Sequence, residues 1–267
     1  MQMIRYLESY SDVLELVSQI QERRISDNTK MEHYRGQGRP EYKLIPSIAR
    51  NYPRVSDLLR KEEYILNELK SYLRNSEYLK MLRLDEILND DQNSWNLLFQ
   101  LQHLGIPTRL LDWSLKWEVA LWFAVENEAN DYVDGQFWVF SVPNNIHLTD
   151  TRNNFFEKNI KDIESTYLIN APIYWSEELS EQVEEIKRQR QFGKFSISSF
   201  DKSVIPLEDQ PEINQYIEKY CIPSKVKKEI RRRLNSLGLH KDWLYYRDCT
   251  NVDLENQIKE ILNKTIP

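Results

Sequence analysis

The chain has 267 residues, 40% of them hydrophobic and 29% charged, with a formal net charge of −6. That composition fits a large folded domain and excludes general disorder and a broadly basic nucleic-acid surface. No apolar run approaches the ~18 residues that cross a bilayer, and Met1 to Glu8 lacks an apolar leader, so a cytoplasmic location and no membrane partner are expected. Cys221 and Cys249 form neither a disulfide framework nor a zinc motif, so no metal is expected. With six glycines and neither GxGxxG nor GxxxxGK[ST], the Gly-rich phosphate loops of P-loop and dinucleotide-binding enzymes are excluded.

In chain order, Ser9 to Asp12 reads as a cap before a helix running to about Arg24, with Val13, Leu16, Val17 and Ile20 at helical spacing. A short strand is expected over 32–36, then a loop to Pro46. A helix from about Ser56 to Asn75 carries Leu58, Ile65, Leu66 and Leu69 on one face. Ser94 opens a helix stopped by Gly105 and Pro107, and residues 108–113 form a short extended or looped segment. Residues 115–127 read as a helix apolar nearly all round, hence buried. Strands are expected over 136–142, 165–170, 194–199 and 216–222, with Val204 to Pro206 a further candidate. Helices are expected over 177–191, 224–237 and 252–262. The fold class is α+β, a curved and mainly antiparallel sheet with flanking helices, divided as a helical extension over 1–29 and one domain over 30–267.

Three segments concentrate polar chemistry. In His33-Tyr-Arg-Gly-Gln37, a strand-end arginine beside a glycine can reach an anion while backbone approaches closely, or pair internally with Asp112 or Glu118. In Gln102-His-Leu-Gly-Ile-Pro-Thr-Arg-Leu-Leu-Asp-Trp113, His103 ends a helix where the dipole favours its charged form. There Arg109 and Asp112 either pair as a clamp or serve a ligand. The third segment is Arg188-Gln-Arg-Gln-Phe-Gly-Lys-Phe195. Arg35, Arg109, Asp112 and Gln191 are expected around one cleft, with Gln37, His103 and Trp113 nearby; the two arginines suit a pyrophosphate and Trp113 or Phe195 a stacked ring. The basic helix over 225–233 reads as a solvated surface face, or as a local patch for nucleic acid or an acidic protein partner. Exchange of Arg231, Arg232 and Arg233 for glutamine is expected to leave melting nearly unchanged.

The first two segments, with Leu44-Ile-Pro-Ser-Ile-Ala-Arg50 and Val119-Ala-Leu-Trp-Phe-Ala124, resemble the FRG domain family, named for its Phe/Tyr-Arg-Gly tripeptide. The segment 188–195 is similar to a later Arg-rich element of that family, with Phe192 where a second glutamine would stand, and the resemblance extends over roughly residues 30 to 260. The family's occurrence in mobile and phage-related bacterial contexts implies a conflict or phage-defence role. A more distant similarity is to ADP-ribosyltransferases of the arginine–serine–glutamate type. Arg35 matches their strand arginine, and Ala120-Leu-Trp-Phe-Ala124 matches the helix after their second element. That likeness implies NAD or a nucleotide as ligand. Pro107-Thr-Arg109 stands in place of Ser-Thr-Ser, and Gln189-Arg-Gln191 in place of the catalytic glutamate. The implied roles are Asp112, Gln191 and His103 for catalysis, and Arg35, Gln37, Arg109 and Trp113 for the cofactor. A non-catalytic binding module is the alternative.

Overall fold

A computed structural model describes residues 5–26, 30–75, 94–103, 105–143, 148–149, 159–169, 193–244 and 260. Its elements in chain order are β1 (Arg5–Tyr6), α1 (Tyr10–Ser26), β2 (Lys30–Gln37), α2 (Ser47–Asn51), α3 (Val55–Asn75), α4 (Ser94–His103) and β3 (Leu111–Ser114). They continue with α5 (Trp117–Val125), β4 (Gly135–Pro143), β5 (Leu148–Thr149), β6 (Tyr167–Ile169), β7 (Gly193–Ile197), α6 (Phe200–Ser203), β8 (Ile217–Ile222), α7 (Ser224–Ser236) and α8 (Lys241–Leu244). The helices expected over 177–191 and 252–262 lie outside the described residues, apart from residue 260.

The strands form one eight-stranded sheet in the order β1-β8-β4-β2-β3-β7-β6-β5. Pairing is antiparallel except for β1 with β8 and β5 with β6. The α+β class and mostly antiparallel pairing match the expected fold. The expected curvature is corrected to an open, uncurled sheet whose edge strands lie at opposite ends of the order. Val204 to Pro206 is not a strand; it follows α6 and leads into a 3₁₀ turn at Leu207–Asp209, since Pro206 has no N–H for a ladder. The extended alternative for 108–113 holds over its second half, where β3 runs from Leu111 to Ser114.

Three buried clusters flank the sheet. On one face, Tyr34, Phe137, Val139 and Tyr220 pack against α1, α5 and α7. Trp122 is 3% exposed and Phe123 packs against the same cluster, as the apolar circumference of α5 requires. On the other face, Trp113, Trp138 and Phe140 form a second cluster with Leu44, Leu207 and Ile217. The third joins α2, α3 and α4 to β7 through Leu58, Ile65, Leu98, Phe99 and Phe195.

Gly36 lets α5 approach β2. A Cβ there would stand 1.7 Å from the Ala120 carbonyl oxygen and 2.7 Å from the Ala124 amide nitrogen. The open space beside this glycine is thus taken by a helix backbone rather than left for a ligand.

Helix α7 is only partly a solvated face. Lys227 is 1% exposed and its Nζ donates to the carbonyls of Gly38 at 2.8 Å and Asn130 at 2.9 Å. Arg231 Nε donates to the Val125 carbonyl at 2.6 Å, and its Nη1 to Asp131 at 3.1 Å. These side chains tie α7 to the end of α5 and the turn after it. The expected neutrality of an Arg231 exchange is corrected accordingly: Arg231 satisfies a buried carbonyl, which costs about 1–3 kcal/mol to leave bare. Lys225, Lys228, Arg232 and Arg233 are exposed, although Lys225 meets Glu8 and Arg233 lies 3.9 Å from Glu229.

Candidate functional site

Strand alternation sorts the residues of the first motif. Tyr34 and Gly36 face α5, so His33, Arg35 and Gln37 share the opposite face of β2. His33 is fully buried beside Phe140, and its Nδ1 lies 3.2 Å from the Met31 carbonyl. Burial pushes the imidazole pKa down to about 3; backbone hydrogen bonds to Met31 and Phe140 oppose this, and the Lys194 charge adds to it. Gln37 is spent internally: its Nε2 donates to the Lys43 carbonyl at 3.1 Å, and its Oε1 accepts from Trp138 Nε1 at 2.9 Å.

Arg35 is different. Strands β2 and β3 share a single register pair, Tyr34 with Ser114. Beyond it, Arg35 Nη1 donates to the Asp112 backbone carbonyl at 2.5 Å and lies 3.8 Å from Asp112 Oδ2. The Arg35 side chain is 16% exposed and the Asp112 side chain 55% exposed. Arg35 Nε is buried without a hydrogen-bond partner among the described residues. Burial lowers the pKa of this guanidinium, Asp112 opposes the shift, and the nearby Arg50 reinforces it. Arginine nonetheless stays charged. The result is a charged fork with unused hydrogen-bonding capacity beside an exposed carboxylate.

Asp112 is held from a second side. Gln102 Nε2 donates to Asp112 Oδ2 at 2.7 Å, and Gln102 Oε1 accepts from the Thr108 hydroxyl. Helix α4 ends where Gly105 adopts φ 71 and the Ile106 amide bonds back to the Leu101 carbonyl at 2.8 Å, which leaves Gln102 at the helix end beside β3. The Thr108 amide donates to Ser47 Oγ at 3.1 Å, and the Thr108 carbonyl accepts from the Ile48 amide at 3.3 Å. A chain of polar contacts thus runs from α2 through Thr108, Gln102 and Asp112 to Arg35. The α2 residue Arg50 is exposed, with its Nε bonded to the Ile45 carbonyl at 3.3 Å.

The other expected site residues are placed elsewhere. Arg109 is corrected from a ligand-facing to an internal role. Its side chain is 0% exposed, and its Nε lies 2.8 Å from both carboxylate oxygens of Glu62. Its Nη1 donates to the Ser198 carbonyl at 2.9 Å and its Nη2 to the Ile160 carbonyl at 2.7 Å. The Phe200 ring lies 3.8 Å from the guanidinium carbon. Trp113 is likewise corrected: it is 2% exposed, packs on Phe140, and donates from Nε1 to Ser196 Oγ at 3.0 Å, so its ring has no face left for a ligand. Phe195, the other expected stacking ring, is 3% exposed against Phe99. Gln191 and the His103 side chain lie outside the described residues.

Of the expected cleft, then, the structure brings together Arg35 and Asp112, with Gln102, Thr108, Ser47 and Arg50 around them. Nothing in the sequence around these last four marks them as members of a site. Among the described residues, no group of three or more His, Cys, Asp or Glu side chains is arranged to hold a metal ion, and no helix is long and apolar enough to cross a membrane.

A family model for the FRG domain matches residues 30–132. That segment is similar to the FRG domain. The match takes in every member of the Arg35–Asp112 group and ends before β4. No curated protein and no solved structure matches the chain.

Proposed function

We propose that this chain binds an NAD-like nucleotide through Arg35 and Arg50, and that Asp112 is the carboxylate that serves cleavage at the nicotinamide ribose. The observation that carries the reading is Arg35: a largely buried guanidinium whose Nε has no partner among the described residues, set against an exposed acid. Burying a charged group with unused donors is costly unless something fills it, and a phosphate suits the fork. Arg50, whose charge acts on Arg35, is the second cation of the reading, in place of the Arg109 that the core consumes. The strand arginine followed by a glycine, and the helix α5 packed on it, support the distant ADP-ribosyltransferase likeness.

In the proposed reaction the bond between ribose C1′ and the nicotinamide nitrogen breaks. Its electron pair leaves with the ring, and positive charge develops on the ribose. Asp112 faces that charge, and water or an acceptor hydroxyl adds with loss of its proton to solvent. An electrostatic group of this kind is worth ~10²–10³ in rate. Such chemistry suits a bacterial or phage conflict system, where depletion or transfer of a nucleotide is toxic.

Calorimetric titration with NAD, followed by chromatography for free nicotinamide, tests the reading. Binding and nicotinamide release that falls ~10²-fold in Asp112→Asn are the expected results. Binding without release supports the non-catalytic alternative, a module that recognises a nucleotide, nucleic acid or protein partner. Absence of binding sinks the nucleotide assignment. The exposed cations of α7 would then be the place to look for a macromolecular partner.

A further inference from the structure

Gln102 makes two contacts of opposite polarity. Its Oε1 accepts a hydrogen bond from the Thr108 hydroxyl, and its Nε2 donates to Asp112 Oδ2 at 2.7 Å. An amide can turn by half a revolution and exchange its oxygen and nitrogen, so something must choose the orientation. Asp112 does so, because a carboxylate only accepts and therefore takes the nitrogen end. Thr108 matches that choice: its Oγ1 accepts from the Leu110 amide at 3.1 Å, and its hydroxyl hydrogen goes to the oxygen end of Gln102. Thr108 is in turn fixed by Ser47 and Ile48 of α2, and it is 1% exposed.

We infer that Gln102 is the positioning residue of the site: anchored at its oxygen by Thr108, it holds the Asp112 carboxylate at one oxygen. Arg35 approaches the same oxygen, Oδ2, at 3.8 Å. The other oxygen, Oδ1, is thereby left to face a ligand. The role in catalysis rests on the nucleotide reading above; the orientation of the carboxylate does not. Within that reading, Gln102 supplies no reacting atom. It keeps Asp112 aimed while substrate phosphate engages Arg35.

Gln102→Glu tests the assignment. Thr108 still donates to one oxygen of the introduced carboxyl, so the other oxygen meets Asp112 Oδ2 at hydrogen-bond distance. Two carboxylates that close cannot both ionise freely and titrate as a coupled pair. Carbon-13 NMR of the carboxyl groups is recorded against pH for Gln102→Glu alone and combined with Asp112→Asn. The introduced group should titrate at least ~1 pH unit higher when Asp112 is present. Equal titration in the two backgrounds overturns the assignment.

If Gln102→Glu does not fold, the side-chain amide resonances of Gln102 serve instead. They should move when Asp112→Asn is introduced, and unmoved resonances overturn the assignment. Nicotinamide release by Gln102→Glu should fall ~10-fold or more at neutral pH and recover toward acid, as the introduced carboxyl regains a proton to donate. If the pair is coupled but the wild type neither binds NAD nor releases nicotinamide, the proposed function fails while the positioning of Asp112 stands.

Discussion

Arg35 and Arg109 carry the same side chain toward the same loop and meet opposite fates. Arg109 lies on the core side, where Glu62, two backbone carbonyls and the Phe200 ring surround its guanidinium. Arg35 lies where β2 and β3 part after one register pair, and its Nε finds no partner among the described residues. What separates the two is donor satisfaction rather than charge. The fully spent fork of Arg109 is a tie between elements, and the fork of Arg35 with a donor left over is where the proposed ligand would bind.

The largest effect should come from breaking the tie. Arg109→Ala leaves Glu62 buried and uncompensated, which costs ~3–5 kcal/mol for a broken buried pair. For a chain of this size that lowers the melting temperature by roughly 6–20 °C. A melting curve followed by circular dichroism checks it. A shift under about 2 °C would mean that the pair contributes little.

Acid comes next. His33 is held neutral, with a folded pKa of about 3, whereas an unfolded chain restores it to ~6.5. Between those values the unfolded state binds the extra proton. The His33 contribution is therefore intact above pH ~6.5 and is lost by ~1.4 kcal/mol per pH unit as acid is added. Urea unfolding at pH 7 and pH 5 should show the loss, and His33→Phe should flatten it. An unchanged slope in that variant would place the acid sensitivity elsewhere.

Along α7, Arg231→Gln should cost about 1–3 kcal/mol by leaving the Val125 carbonyl and Asp131 without their donor. Arg232→Gln, at an exposed position one residue on, should stay within about 0.5 kcal/mol. Equal melting of the two would remove the distinction drawn between the inner and outer faces of this helix.

Much of the fold was legible because it is periodic. The alternation at 194–199 and the apolar circumference of 115–127 translate directly into β7 and α5. Strand β3 was harder to see, because four residues with three buried give no alternation to count. The placement of Arg109 was hidden because its partner is 47 residues upstream. One local signal existed: Glu62 sits four residues after Leu58 and four before Leu66, inside the apolar stripe of α3. An acid on a buried face needs a cation, and Arg109 is that cation. Gly36 misled in a similar way. A glycine beside a strand arginine reads equally well as room for a ligand or room for a helix, and only the packing of α5 decides. Gln102 and Arg50 were visible as residues, but their roles depend on a loop that brings α2, α4 and β3 together.

The most direct test of the account is calorimetric titration of NAD into Arg35→Lys beside the wild type, with the melting temperature of each variant recorded first. Lysine keeps the charge but loses the planar fork. The account predicts a melting temperature within a few degrees of wild type and NAD affinity at least ~10-fold weaker, a difference of ~1.4 kcal/mol. Unchanged NAD affinity in Arg35→Lys would contradict it.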